Sequence, residues 1–426
     1  MTSSIKMTFA LMALLLILGL CVSATAREDD VRRFAQDRFA VGFWVDPPLD
    51  GQADARYCEI ADAHFTLVVG GFGANTPEKA AAQLALCEQY GLKAIVTLPQ
   101  VAAADLPDGP ACWGYGLRDE PNASEFPQMR ELVDQVRAAR PGRLGYINLF
   151  PSYASPWRQL GAESYEDYVR RFVDEVEVDV LCMDHYPIFK PDADGRDRYC
   201  ADLEVMRRHA LRKNIPFWNF FNAMPYGPHT DPTESQMRWQ VFASLTYGAR
   251  GVLYFCYYTP AGDEFPKGGA LITRDDRRTS KWYAARRLNE QLLHLGPTLM
   301  QLTSAGVYRV TPECDPAQVL AGSPVRNLSR EKVDPPHDYL VGAFTHADGR
   351  RAVMLMNYRF AYSAWPTVEF DAPLEEVRQI DPWSGEEVPV IDESPAMPGV
   401  QVSLQDGEGK LYLLPTAPAS KAETGG

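Results

Sequence analysis

Beyond its first 26 residues the chain has no run of 18 uncharged apolar residues, so no later segment is long enough to cross a bilayer as a helix. It has no Cys-x-x-Cys, which removes the usual spacing of a zinc or dithiol framework. Lys and Arg form no cluster, and the formal net charge is −14. An acidic chain without basic patches argues against nucleic acid, and against a polyanionic substrate as the default. Glycine-rich phosphate loops are absent, as are His, Asp and Glu at metal-ligand spacing. No cofactor or metal is therefore expected.

The N-terminus is organised for export. Lys6 supplies the positive start, Ala10 to Leu20 the apolar stretch, and Ala24-Thr25-Ala26 the small-residue cleavage site. Leu20, just before Cys21, fits a lipoprotein signal poorly. A secreted or periplasmic protein is expected, with residues 1–26 removed. Cleavage leaves 426 − 26 = 400 residues and, with Lys6 gone, a charge of 41 − 56 = −15. Seven cysteines remain (58, 87, 112, 182, 200, 256, 314), an odd number, so at least one has no partner in the chain.

Eight short apolar runs follow in order: Phe39–Val45, Phe65–Gly71, Ala94–Leu98, Cys112–Leu117, Leu144–Phe150, Val180–Tyr186, Pro216–Asn222 and Val252–Tyr258. Near-continuous apolar character suits parallel strands covered on both faces. Helix signals lie between them: Thr76-Pro77 as cap and first residue, Ser164-Tyr-Glu-Asp167 and Thr233-Glu-Ser-Gln236 as capping boxes. Phe126, Met129, Leu132, Val133 and Val136 form one helical stripe, and Tyr165, Tyr168, Val169, Phe172 and Val176 another. Only about a dozen residues, with Pro107, Gly109 and Pro110 among them, separate runs three and four, so the third helix is short or missing.

After a helix over Lys281–Leu295 the period becomes two, in Tyr339–Thr345, Ala352–Asn357, Thr367–Phe370, Val400–Leu404 and Lys410–Leu414. Asp348-Gly349 marks a hairpin turn and Trp383-Ser384-Gly385 another turn. The fold class read from this is α/β: a (β/α)8 TIM barrel over 27–300, a small antiparallel β-sandwich over 301–415, and a disordered tail over 416–426.

The residues best placed for chemistry are Asp119-Glu120-Pro121, where the fourth strand runs into an acidic pair. An unpaired carboxylate is costly to bury, and the carboxyl end of a barrel strand is the catalytic face. The barrel, the sandwich and this motif resemble clan A (β/α)8 glycoside hydrolases. That resemblance implies glycosidic bond cleavage with Glu120 as acid/base, in an Asn-Glu-Pro motif where Asp119 here replaces Asn. The clan's nucleophile ends strand seven, and Phe217–Met224 holds no acid.

A second carboxylate is needed to activate water or attack the anomeric carbon. Asp184, in Cys182-Met-Asp-His-Tyr-Pro187, ends strand six; Asp46, Asp263 and Glu264 are the runners-up. Two strands at ~4.8 Å each put Glu120 and Asp184 about 9 Å apart at the backbone, which suits an inverting pair. Each has a structural alternative. Glu120 could pair with Arg118, Asp184 could orient His185 or a tyrosine, and Asp263-Glu264 could be a solvated turn.

Aromatic rings and amides at strand ends fit a sugar's apolar faces and polar rim. Trp44, Asp46, Asp119, Asn148, His185, Tyr186, Trp218, Asn222 and Tyr257 are the expected substrate contacts, with Asn219, Phe220, Tyr254 and Tyr258 nearby. Aromatics are also large core residues, so about half of these rings are expected to fill the barrel instead. The function expected is an exported glycoside hydrolase acting on an oligo- or polysaccharide. Its rivals are a barrel that binds glycan without cleaving it, favoured by the acid-free strand seven, and a sugar lyase or isomerase.

Overall fold

The computed structural model describes residues 33–189, 193–263, 265–266, 269–329, 338–393 and 395–416. The export signal and all but the first residue of the C-terminal tail lie outside them. Eight parallel strands close into one barrel in chain order: β1 Ala40–Phe43, β2 Leu67–Val69, β3 Lys93–Val96, β4 Cys112–Asp119, β5 Leu144–Leu149, β6 Leu181–Asp184, β7 Phe217–Asn222 and β8 Gly251–Phe255. Each falls on an expected run because a strand covered inside by the barrel filling and outside by helices has no polar face to show. No helix connects β3 to β4, since proline and glycine interrupt that segment.

The helices begin at the sequence's caps. Thr76 accepts from the Lys79 amide at 3.3 Å before Pro77–Gln89, and Ser164 accepts from Asp167 before Tyr165–Glu175. Thr233 and Gln236 complete a reciprocal box ahead of Glu234–Thr246. Helix Phe126–Ala139 buries Phe126, Met129, Val133 and Val136, the apolar stripe of its sequence. The seven described cysteines are all free thiols. Among the described residues no helix is long and apolar enough to cross a membrane.

Helix Ser280–Leu299 leads into two antiparallel sheets. A six-stranded sheet orders β15 (Glu387–Pro389), β14 (Arg378–Ile380), β17 (Gly409–Leu414), β12 (Arg351–Asn357), β11 (Tyr339–His346) and β9 (Leu302–Val310). A three-stranded sheet holds β10 (Val325–Ser329), β13 (Thr367–Phe370) and β16 (Val400–Gln401). The larger sheet packs on helix Glu234–Thr246, which is why that helix is buried on nearly every side. Gly342 permits the contact: a Cβ there would lie 2.4 Å from the Thr246 carbonyl oxygen. The fold is thus the expected TIM barrel followed by a β-sandwich.

Candidate active site

The fourth strand delivers its acids under constraint. Glu120 adopts a left-handed backbone, φ 48°, a conformation that costs about 1 kcal/mol or more outside glycine and gathers at functional sites. Its amide donates to the Asn148 carbonyl at 2.9 Å, and the Tyr168 hydroxyl donates to the Pro121 carbonyl at 2.6 Å, pinning the turn from both sides. Arg118 pairs with Glu125 at 2.9 Å, so the alternative partnership with Glu120 is not the one formed.

Asn148, at the end of β5, bridges the neighbouring strands. Its Nδ2 donates to Asp119 Oδ1 at 3.1 Å and to Asp184 Oδ1 at 3.3 Å. Asp184 and the Tyr186 hydroxyl act on one another's ionisation, and Asp184 acts on Glu120, so the three groups are neighbours in the site. Strands β4 and β6 flank β5, which brings both carboxyls to one cleft.

Two neighbouring carboxyls cannot both ionise freely. Burial, then the charges of Asp184 and Asp119, push Glu120 up to about 9. Asp184 rises to about 7, through burial and then the Asp119 charge, against the donors on Tyr186 and Asn148. Burial also raises Asp119, opposed by Asn148 and Arg118. Asp119 is itself exposed at the cleft mouth, so its burial is that of a crowded cleft rather than a sealed interior. Between these two values the pair holds one proton, on Glu120, and one charge, on Asp184. Below about 7 Asp184 takes up a proton; above about 9 Glu120 loses its own. A pH–rate profile for a reaction needing both is expected to be a bell lying between those limits, reporting the pair as a unit.

The three acids open into a cavity of about 830 Å³ at the carboxyl ends of the strands. Trp44, Asp119, Glu120, Asn148, Asp184 and Tyr186 all line it, as does Phe220. The Trp44 ring stacks on Phe255 at 5.4 Å and meets Phe72 edge-on at 4.7 Å. Loops add Tyr153, Tyr226, His229 and Phe265, which strand patterns could not reveal. Tyr153 alone carried a signal, three residues past the end of the fifth apolar run. Burial lowers His229 to about 4, so its ring is neutral, and its Nδ1 has no protein partner.

Five expected substrate contacts are not part of this lining. Asp46 is buried and acts as a backbone anchor, accepting from the amides of Phe72 (2.8 Å) and Ala74 (2.7 Å) and from Gln83 Nε2 (2.9 Å). Gly73 lies so close to the Pro47 carbonyl oxygen that a Cβ would sit 1.8 Å from it. His185 is fully buried, its Nδ1 2.7 Å from Asp202, whose carboxylate also accepts from the Ser152 amide at 2.9 Å. It supports Tyr153, which packs edge-on against it at 5.0 Å. Trp218 lies near the start of β7, in the layer of side chains that fills the lower barrel, with Nε1 on Gln36 at 3.0 Å. Tyr257 stacks on Phe43 at 4.4 Å inside the core. Asn222 is buried where its main chain is clamped by Gln240, and its amide atoms have no protein partner.

Of the remaining candidates, Asn219 faces the helices and bonds Tyr199 and Ser244, Tyr254 bonds Asn289, and Tyr258 bonds Asp276. Asp263 is exposed and off the lining, while Glu264 lies outside the described residues. Among the described residues, no group of three His, Cys, Asp or Glu side chains could hold a metal ion. Replacing Asp46 by Ala is expected to cost about 3 kcal/mol of stability, since three buried donors lose their acceptor. A denaturant titration reads this, and an unchanged midpoint contradicts the anchoring role.

No family model matches the sequence, and no curated protein matches it. Solved structures do. A catalytic mutant of Gan42B, a GH42 β-galactosidase from G. stearothermophilus, aligns over 90% of this chain and 100% of its own, with TM-score 0.59 and 10% identity. Gan42B itself aligns over 89% and 98%, with TM-score 0.56 and 10% identity. The β-galactosidase of the psychrophilic Marinomonas ef1 aligns over 60% of each chain, with TM-score 0.45 and 12% identity. In fold, this chain is similar to the two Gan42B structures, a barrel followed by further domain structure.

Proposed function

We propose that the protein is an exported glycoside hydrolase in which Glu120 is the general acid and Asp184 the second carboxylate. The observation that carries this is the placing of Glu120 and Asp184 at the carboxyl ends of β4 and β6, lining one cleft with the Asp184 charge raising Glu120. A glycosidic oxygen leaves as an alcohol only if it gains a proton as its bond to the anomeric carbon breaks. Glu120 is held protonated at neutral pH and supplies it. The anomeric carbon then carries positive charge and needs a carboxylate and water. Asp184 faces it as the anion and takes the proton of the attacking water.

Hydrolases work at a carboxyl separation of about 5–5.5 Å for retention and about 6.5–9.5 Å for inversion. The two-strand spacing of β4 and β6 suits the wider, inverting gap.

One observation favours a second reading. Strand β7 ends in Asn222 with no acid on Phe217–Asn222, so the cleft could bind glycan without cleaving it. A screen of aryl glycosides and oligosaccharides, with Glu120→Gln beside the wild type, separates the two. Turnover lost in the variant supports hydrolysis; binding in both proteins without turnover in either supports the second reading.

A further inference from the structure

The cleft changes character from one side of the carboxyl pair to the other. The loops after β2 and β3, with Arg118 on β4, bring Asn75, Thr97 and Gln100 to its wall among Phe72, Leu98 and Pro99, and the far side is built from Phe255 on β8 with Tyr226, Pro228, His229 and Phe265 on the loops after β7 and β8. Strands succeed one another in order around the closed barrel, so these groups flank the β4–β6 acids on opposite sides. A ligand laid across Glu120 and Asp184 has one end on each.

The far side is ring against ring. Tyr226 stacks on Phe265 at 5.3 Å and packs on Phe255 at 5.4 Å, and Phe255 continues to Tyr186 at 4.8 Å. Tyr226 is 37% exposed, so an apolar face stands open at the entrance. A pyranose stacks well on one ring when polar groups surround it to take up its rim hydroxyls. Phe255, Phe265 and Pro228 offer none, which leaves the Tyr226 hydroxyl and the His229 Nδ1 as the few polar atoms of that side, and a rim hydroxyl desolvated against the three loses hydrogen bonds it held in water. The polar side has the amides and hydroxyl a sugar needs.

We propose that the substrates are glycosides with an apolar aglycone, alkyl or aryl, seated on Tyr226, Phe255 and Phe265, with the sugar toward Asn75 and Gln100. The inference rests on the glycosidase reading for its sugar end alone. The aglycone site is a statement about binding.

The test uses the full chain carrying Glu120→Gln, so that ligands persist. Calorimetry compares octyl with methyl glycosides of the same sugar, across a panel of neutral sugars and below the micellar concentration. The octyl member of the best pair is expected to bind roughly tenfold or more tightly, from burying several methylenes. Tyr226→Ser with Phe265→Ser is expected to abolish that preference and leave methyl glycoside affinity in place, and Phe265→Leu to keep the preference. Tyr226→Ser alone, at an exposed ring, is expected to weaken it and guards against misfolding of the double variant. Equal affinities throughout, no binding of any octyl glycoside, or a larger gain from a second sugar than from octyl overturns the proposal. Wild-type hydrolysis of the same compounds is scored apart. Octyl preference without turnover removes the hydrolase reading and leaves the apolar site standing, and turnover without preference does the reverse.

Discussion

Glu120→Gln is expected to lower kcat by about 10²–10⁴-fold on a glycoside whose leaving group is an alcohol, the usual worth of a placed general acid. On a dinitrophenyl glycoside the loss is expected to be small, because that leaving group departs as an anion and needs no proton. The contrast follows from the protonated state of Glu120, held by burial and by the Asp184 and Asp119 charges. Gln keeps the size and the hydrogen-bonding reach of the side chain, so the substitution removes the transferable proton and little else. Steady-state rates on the two substrates settle it. Equal losses on both would mean that Glu120 binds or orients the sugar rather than donating to the leaving oxygen.

Asp184→Asn is expected to lose about 10²–10⁴-fold on both substrates alike, since the base or charge partner of the anomeric carbon is required whatever leaves. It carries a second signature. The Asp184 charge is one of the causes raising Glu120, so a neutral amide there lets the Glu120 value fall. The alkaline limb of any residual activity is then expected to move to lower pH. Tyr186 and Asn148 remain beside the new amide, which limits collapse of the cleft. An unmoved alkaline limb would separate the two carboxyls electrically, and full activity would exclude Asp184 altogether.

The barrel was legible because its strands are covered on both sides, so the apolar runs mark them almost without interruption. Its helices were legible where caps are written into the chain, as at Thr76-Pro77 and Thr233–Gln236. The sandwich was harder. β9 is largely half-exposed along its length, which blurs the alternation, and β14 and β15 are three residues each, too short for any period.

The site divides along the same line. Glu120 and Asp184 stand at strand ends, where position alone assigns a face, and both reach the cleft. Asp46 also ends near a strand, yet the loop after β2 folds back with two amide donors and Gln83 of the next helix adds a third, a tertiary event invisible in Val45-Asp46-Pro47. Trp218 and Phe220 differ by one turn of the pleat in height: the lower ring fills the barrel and the upper one lines the cleft. Tyr226, His229 and Phe265 arrive on loops, whose paths no periodicity records.

The most direct measurement is kcat/KM on one alcohol-leaving glycoside for the wild type, Glu120→Gln, Asp184→Asn and the double variant. If the two carboxyls work as one unit, the loss in the double variant is expected to be no greater than that of the more damaged single variant. Losses that multiply, or single variants as active as the wild type, would contradict a shared catalytic pair.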